Sequence, residues 1–176
     1  MARPITESES LELLGSRTIG HLGCVVQDAP YVVPINYMFD EGRIYSHSLP
    51  GLKIDAMRTS PGVCLQVEQV ENEFEWRSVM VFGVYEEIRV PDDRTRVLRK
   101  LLAHFPFLTP VESTMAADAN APESVVYRIV IERVTGVAEE QFGKVHYEND
   151  YRTECVEFLS ERILDWEAGL SPASCL

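Results

Sequence analysis

Apolar and polar positions fall into short strand-like runs separated by turn residues along most of this chain. Ile19 to Val26 reads IGHLGCVV and predicts a strand, with glycine tolerated at bends. Asp28-Ala29-Pro30 predicts a turn. Tyr31 to Phe39 predicts the second strand, and Pro34 inside it marks an edge, a bulge or a break in ladder bonding. Asp40-Glu41-Gly42 predicts a hairpin turn and Arg43 to Ser48 the third strand. Val63 to Val70 (VCLQVEQV) alternates as a half-buried strand should, with Gln66 and Glu68 on the wetter face. After a polar loop at 72–75, Trp76 to Val90 is a long β segment with Gly83 as a bend or bulge. Ser124 to Val134 is one more strand.

Helical periods appear at four places. Glu7 to Gly15 predicts a short helix capped by Ser8 or Ser10, with acidic residues in its first turn. Leu52, Ile54 and Met57 fit another, ended by Ser60-Pro61-Gly62. Pro91 to Phe105 carries Val97, Leu98, Leu101, Leu102 and Phe105 as one apolar stripe. Residues 106–122 are loop-like. Asp150 to Glu167 places Tyr151, Cys155, Phe158, Leu159, Ile163 and Trp166 at helical spacing, an amphipathic tail that must bury its face. Strands joined by short turns imply antiparallel pairing, and strands of this length with few free edges imply a barrel. At 176 residues the chain fits a single domain with a real core.

Composition narrows the function classes. The net charge is -12, which argues against a nucleic-acid binder and against binding at anionic membranes. No window approaches the roughly 18 apolar residues that span a bilayer. The N-terminus MARPITESES has no apolar signal core, so a cytoplasmic protein is expected. Cys24, Cys64, Cys155 and Cys175 form no CxxC pair, and the histidines and carboxylates form no metal-ligand spacing, so no metal site is expected. Cys24 and Cys64 read as small core residues. No GxGxxG or Walker A loop is present, which disfavours a Rossmann or P-loop nucleotide site.

Candidate chemistry concentrates in YVVPINYMFDEGRIYSHSLPGLK, residues 31–53. A dianionic phosphate wants a positive charge and free N–H groups. Gly51 allows close backbone approach at the start of a short helix, and Lys53 supplies the charge. The plain alternative is a surface lysine. His47, between Ser46 and Ser48 at a strand end, is either structural or a donor to the phosphate. His21, in an apolar strand, reads as a core or interface histidine. Trp76 and Arg77 open the long strand. Trp76 is a packing residue or an apolar neighbour for a planar ring, and Arg77 a partner for an acid or for an electron-rich ring edge.

These blocks resemble the FMN-binding split barrel of the pyridoxamine 5'-phosphate oxidase-like superfamily, most closely the branch that includes 5-nitroimidazole resistance proteins. The residues that carry the likeness are IGHLGCV at 19–25, residues 31–68, WRSVMVFGVYEEI at 76–88 and YRIVIERVTG at 127–136. The resemblance implies a six-stranded antiparallel barrel with flanking helices, and a homodimer holding FMN at the subunit interface. It implies that Pro34, Ile35, Asn36 and Tyr37 run along the flavin ring and offer it backbone hydrogen bonds. Ser46 and His47 fall near the ribityl-phosphate arm, and Lys53 matches the phosphate-binding lysine. Ser78 sits where the oxidase branch commonly has a glutamine that touches the flavin.

Two positions depart from the oxidase proper. Its arginine immediately before the phosphate lysine is Leu52 here, and its C-terminal RxH-type substrate signature is absent from DWEAGLSPASCL. The resemblance therefore implies a flavoprotein more than it implies pyridoxamine phosphate oxidation. The expected activity is an oxidoreductase acting on nitroaromatic or quinone-like small molecules. The rivals are a non-catalytic flavin-binding or storage protein, and a split barrel using deazaflavin F420 or haem, for which His21 or His47 are the candidate axial ligands.

Overall fold

The computed structural model describes residues 2–105 and 123–140. The order is β1 (Arg3–Pro4), α1 (Glu7–Ser16), β2 (Ile19–Val26), β3 (Ala29–Asn36), β4 (Met38–Asp40) and β5 (Arg43–Ser48). Then follow α2 (Leu52–Thr59), β6 (Gly62–Asn72), β7 (Glu75–Glu87), α3 (Pro91–His104) and β8 (Val125–Glu139). The tail helix expected at about 150–167, and the loop at 106–122, lie outside the described residues.

All strand pairs are antiparallel, in the order β3-β2-β6-β7-β8-β5-β4, with β1 added to β8. The two ends of that path, β3 and β4, are separated in the chain by Tyr37 alone. The sheet must therefore curl round and close on itself, which is the expected barrel. Eight strands are described where six were expected, and the excess is made of short ones: β1 has 2 residues and β4 has 3.

Inward positions of every long strand fill the barrel. Leu22, Cys24, Ile35, Ile44, Leu65, Val67, Val79, Val81, Tyr127 and Ile129 are all buried there, with Leu13 and Leu14 of α1 and Ile54 and Met57 of α2. A second cluster lies outside the barrel, where Val97 and Leu101 of α3 cover Met38, Tyr45 and Val126. Leu102, expected in the α3 stripe, is exposed. The contact face of α3 is the narrower set 97, 98, 101 and 105.

Local chemistry corrects several expected boundaries. The α1 cap is Thr6, one residue before the helix, in a capping box with Glu9; Ser10 is buried inside the helix and donates to the Thr6 carbonyl. The β2–β3 turn is Gln27-Asp28, both with positive φ (49° and 64°), and Pro30 is already in β3. That two-residue turn makes Val26↔Ala29 a hydrogen-bonded pair, so bonding and non-bonding pairs alternate along the ladder. Pro30 and Pro34 then fall at positions whose backbone faces away from β2, where a missing N–H costs nothing. Strand β3 ends at Asn36, and the Tyr37 N–H donates to the Thr18 carbonyl one step further along the register with β2. Deep in the core the Tyr37 hydroxyl donates to the Leu14 carbonyl at 2.7 Å, satisfying one of the acceptors that the end of α1 leaves open. Tyr37→Phe is expected to cost about 1–2 kcal/mol in a denaturant titration, because it strands a buried carbonyl.

The ladder irregularity expected at Gly83 is present, with its extra residue on the partner strand. Phe82 pairs with Arg133 but Gly83 with Ile131, so Glu132 is an extra residue on β8. A Cβ at Gly83 would land on the Val130 carbonyl oxygen and on Ile129 Cγ2. Among the described residues no helix is long and apolar enough to cross a membrane.

Candidate functional site

Alternation along β3 divides the residues expected beside a flavin. Ile35 and Tyr37 point into the core, while Pro34 and Asn36 are exposed on the outer face. The side chains of the first two are therefore closed to a ligand, and their N–H groups are spent on β2 and on Thr18. On the edge of β3 that faces away from β2, prolines occupy two positions, so the N–H groups offered outward are those of Val32 and Asn36.

The same alternation separates Ser46 from His47. Ser46 faces inward, 1% exposed, and its hydroxyl donates to the Asn36 carbonyl at 2.7 Å. It thereby ties β5 to β3 across the closure of the barrel. Beside it, Tyr127 is fully buried; its hydroxyl is turned towards Ser46 without making a bond of proper geometry, and burial pushes it up to about 12. His47 is half-buried on the opposite face of β5. Ser48 is half-buried and donates to the Leu49 carbonyl at 3.0 Å.

Lys53 is the distinctive cation. It is half-buried in the first turn of α2, and among the described residues no carboxylate pairs with it. Burial lowers its pKa, with nearby Cys24 acting the other way. Burial likewise pushes the Cys24 thiol up, Cys64 adding to the rise and Lys53 opposing it. The α2 N-cap is Gly51, which makes no side-chain cap, so the first N–H groups of the helix keep their bonding capacity. Nothing lies within 4 Å of where a Gly51 side chain would start, so the approach to these groups is open. Leu52 beside it is exposed.

Trp76 and Ser78 are half-buried on the outer face of β7, whereas Arg77 between them faces the other way. Arg77 lines a cleft of about 370 Å³ with Glu9, Glu12, Leu13, Ser16, Arg17 and Gln69. The structure thus brings Trp76 and Ser78 together and sends Arg77 towards α1. Ser78 is opposite Glu68, and Gln66 is opposite His21, so Ser78 is level with Ile19. That is five residues along β2 from Cys24, about 17 Å at ~3.4 Å per residue. Lys53 lies near the inward-facing Cys24 and Ser78 lies on the outer face, so one chain does not gather the two around a point.

That outer face holds residues that the sequence reading did not place in the site. His21, expected in a core or at an interface, is exposed on it and outside the core of this chain, and its Nδ1 is 3.1 Å from Gln66 Oε1. Gln66 Nε2 reaches Ser78 Oγ at 3.1 Å and Glu68 Oε2 at 2.9 Å. Next to this polar row is an apolar groove of about 510 Å³ that includes Gly23, Val32, Cys64 and Phe82. Cys64 is half-buried there, not in the core, and its Sγ packs over Gly23. Val32 and Ile19 on the same face are 62% and 59% exposed. The alternation of β6 had already put Gln66 and Glu68 on a wet face; only the cross-strand register puts Gln66 beside Ser78. Among the described residues no three His, Cys, Asp or Glu side chains cluster as metal ligands.

The family model for pyridoxamine 5'-phosphate oxidase matches residues 6–138. The chain belongs to that family. A FAD-binding protein from Mesorhizobium loti is 31% identical, with a TM-score of 0.66 over 80% of this chain and 99% of that one. A candidate 5-nitroimidazole antibiotic resistance protein from Bacteroides thetaiotaomicron has the same fold at 20% identity, with a TM-score of 0.59 over 80% of this chain and 92% of that one. Among curated proteins, the uncharacterized protein RA0666 of Rhizobium meliloti (strain 1021) is 37% identical over 86 residues. That match spans 49% of this chain and 57% of the relative. The matched segment of the pyridoxamine 5'-phosphate oxidase family contains every site residue named above.

Proposed function

We propose that this chain is a flavin-dependent oxidoreductase that binds FMN across the outer face of its barrel, completed by a second copy of itself. The observation that carries the reading is Lys53: a half-buried ammonium with no carboxylate partner among the described residues, beside an uncapped helix start, in a protein of net charge -12. A cation held against its own desolvation is matched to an anion that arrives later, and a phosphate also uses the free N–H groups of α2.

The remaining residues fit a planar ring joined to that phosphate. The roughly 17 Å along β2 between the level of Cys24, near Lys53, and the level of Ser78 leaves room for a flavin ring joined to its phosphate. The Val32 and Asn36 N–H groups, the Ser78 hydroxyl and the Trp76 ring supply polar and apolar contacts along the way. The exposed Ile19, Val25 and Val32 support a partner that removes them from water, and a second copy would also close the face over the ring. Bound flavin would supply the redox chemistry, carrying electrons from a reduced nicotinamide or similar donor to a nitroaromatic or quinone-like acceptor. This chain's own part is to hold the phosphate, orient the ring and exclude water from it.

The visible spectrum of the purified protein, followed by FMN and FAD titration and light scattering, tests the reading. Oxidised-flavin bands, release of FMN on denaturation and the mass of a dimer are expected. A sharp Soret band, or no binding of either flavin, would overturn it. Release of FAD would extend the site beyond the phosphate held by Lys53. A bound flavin that no reductant bleaches would make the protein a binding module.

A further inference from the structure

The polar row His21–Gln66–Ser78 allows one assignment of its protons. Gln66 has two amide hydrogens, and its Nε2 has two acceptors within reach: Glu68 Oε2 at 2.9 Å and Ser78 Oγ at 3.1 Å. The carboxylate of Glu68 accepts only, so it fixes which end of the amide faces it. Gln66 Oε1 is then turned to His21 and accepts from its Nδ1–H at 3.1 Å. Ser78 Oγ receives a hydrogen bond from the amide, and its own proton has no other acceptor among the described residues. Four residues on three adjacent strands thus deliver one result: a serine hydroxyl that accepts from Gln66 and keeps its own proton to give.

The placement makes this more than surface decoration. Ser78 is half-buried, next to Trp76, on the face that also carries the apolar groove. A hydroxyl without help rotates freely and donates to whichever acceptor is nearest, its own backbone included. Gln66 removes that freedom. We propose that Gln66, locked by Glu68 on one side and His21 on the other, is a positioning residue that holds Ser78 as a hydrogen-bond donor to an acceptor atom on the ring edge of a bound flavin. The assignment rests on the flavin reading above. It gives Gln66 and His21 a role that acts only through Ser78.

A double-mutant cycle read on flavin affinity isolates that dependence. Ser78→Ala and Gln66→Leu are each expected to weaken FMN binding roughly 3- to 10-fold, the range of one net hydrogen bond. The double variant should bind no worse than Ser78→Ala alone, because Gln66 has nothing left to orient. The flavin midpoint potential should move in the same direction in all three variants. His21→Phe should reproduce part of the Gln66→Leu loss, and should do nothing further in the Ser78→Ala background. Thermal midpoints of the flavin-free proteins show whether each variant is folded, and Gln66→Glu, which keeps the shape but loses the donor, serves where Gln66→Leu is not. Losses that add, or a Gln66 variant that binds like the parent protein, would overturn the assignment while leaving the flavin reading intact. A parent protein that binds no flavin would overturn both.

Discussion

Lys53→Ala is expected to raise the dissociation constant for FMN by about 10- to 150-fold. The magnitude is that of one charge-assisted contact, roughly 1.5–3 kcal/mol. It should sit towards the upper end because among the described residues no other cation stands at the start of α2, where Leu52 adds none. The pH dependence follows from the burial of the ammonium. Its pKa is lowered in the free protein, and phosphate binds the protonated form. Affinity should therefore fall as pH rises through the lowered pKa, earlier than an ordinary lysine near 10.4 would allow. Titrating FMN at a series of pH values checks both points. An alkaline fall that persists in Lys53→Ala, or an affinity unchanged by the substitution, would remove Lys53 from the site.

The second large effect is on stability. Gly83→Val is expected to cost about 3 kcal/mol, a fall of roughly 6–12 °C in Tm. The new side chain would meet the Val130 carbonyl and Ile129, and backbone cannot swing aside as a flexible side chain can. The bulge at Glu132 would have to shift, and with it the pairing of β7 and β8, the longest ladder in the barrel. Gly62→Ala is the control. Nothing lies within 4 Å of its Cβ position, so a change within about 0.5 kcal/mol is expected. Equal Tm values for the two variants would show that the close approach at Gly83 does not constrain the barrel.

Much of the fold was legible because strand periodicity is a local property. The runs IGHLGCVV and RIYSHS became β2 and β5 with the expected ends, and the Glu41-Gly42 turn has the positive φ values a tight hairpin needs. Misplacements came where a backbone group found a partner from elsewhere. Thr6 took the cap expected of Ser8 or Ser10 because it could reach Glu9 from outside the helix. Cys64 looked like a core residue from its apolar neighbours, yet strand alternation turned it outward over Gly23.

For the site, the sequence by itself determined the ingredients: a lysine shortly after a glycine at the start of a helix, and a wet face on β6. It could do so because each depends on spacing along a few residues. Only the tertiary structure decided that Ser46 closes the barrel inside while His47 lies outside. It likewise decided that Arg77 turns away from Trp76 and Ser78, and that His21, Gln66, Glu68 and Ser78 meet in one hydrogen-bonded row. Those outcomes depend on which residue of one strand stands opposite which residue of the next. Register is set by turns and by a bulge far along the chain, and a shift of one position would send every one of these side chains to the other face.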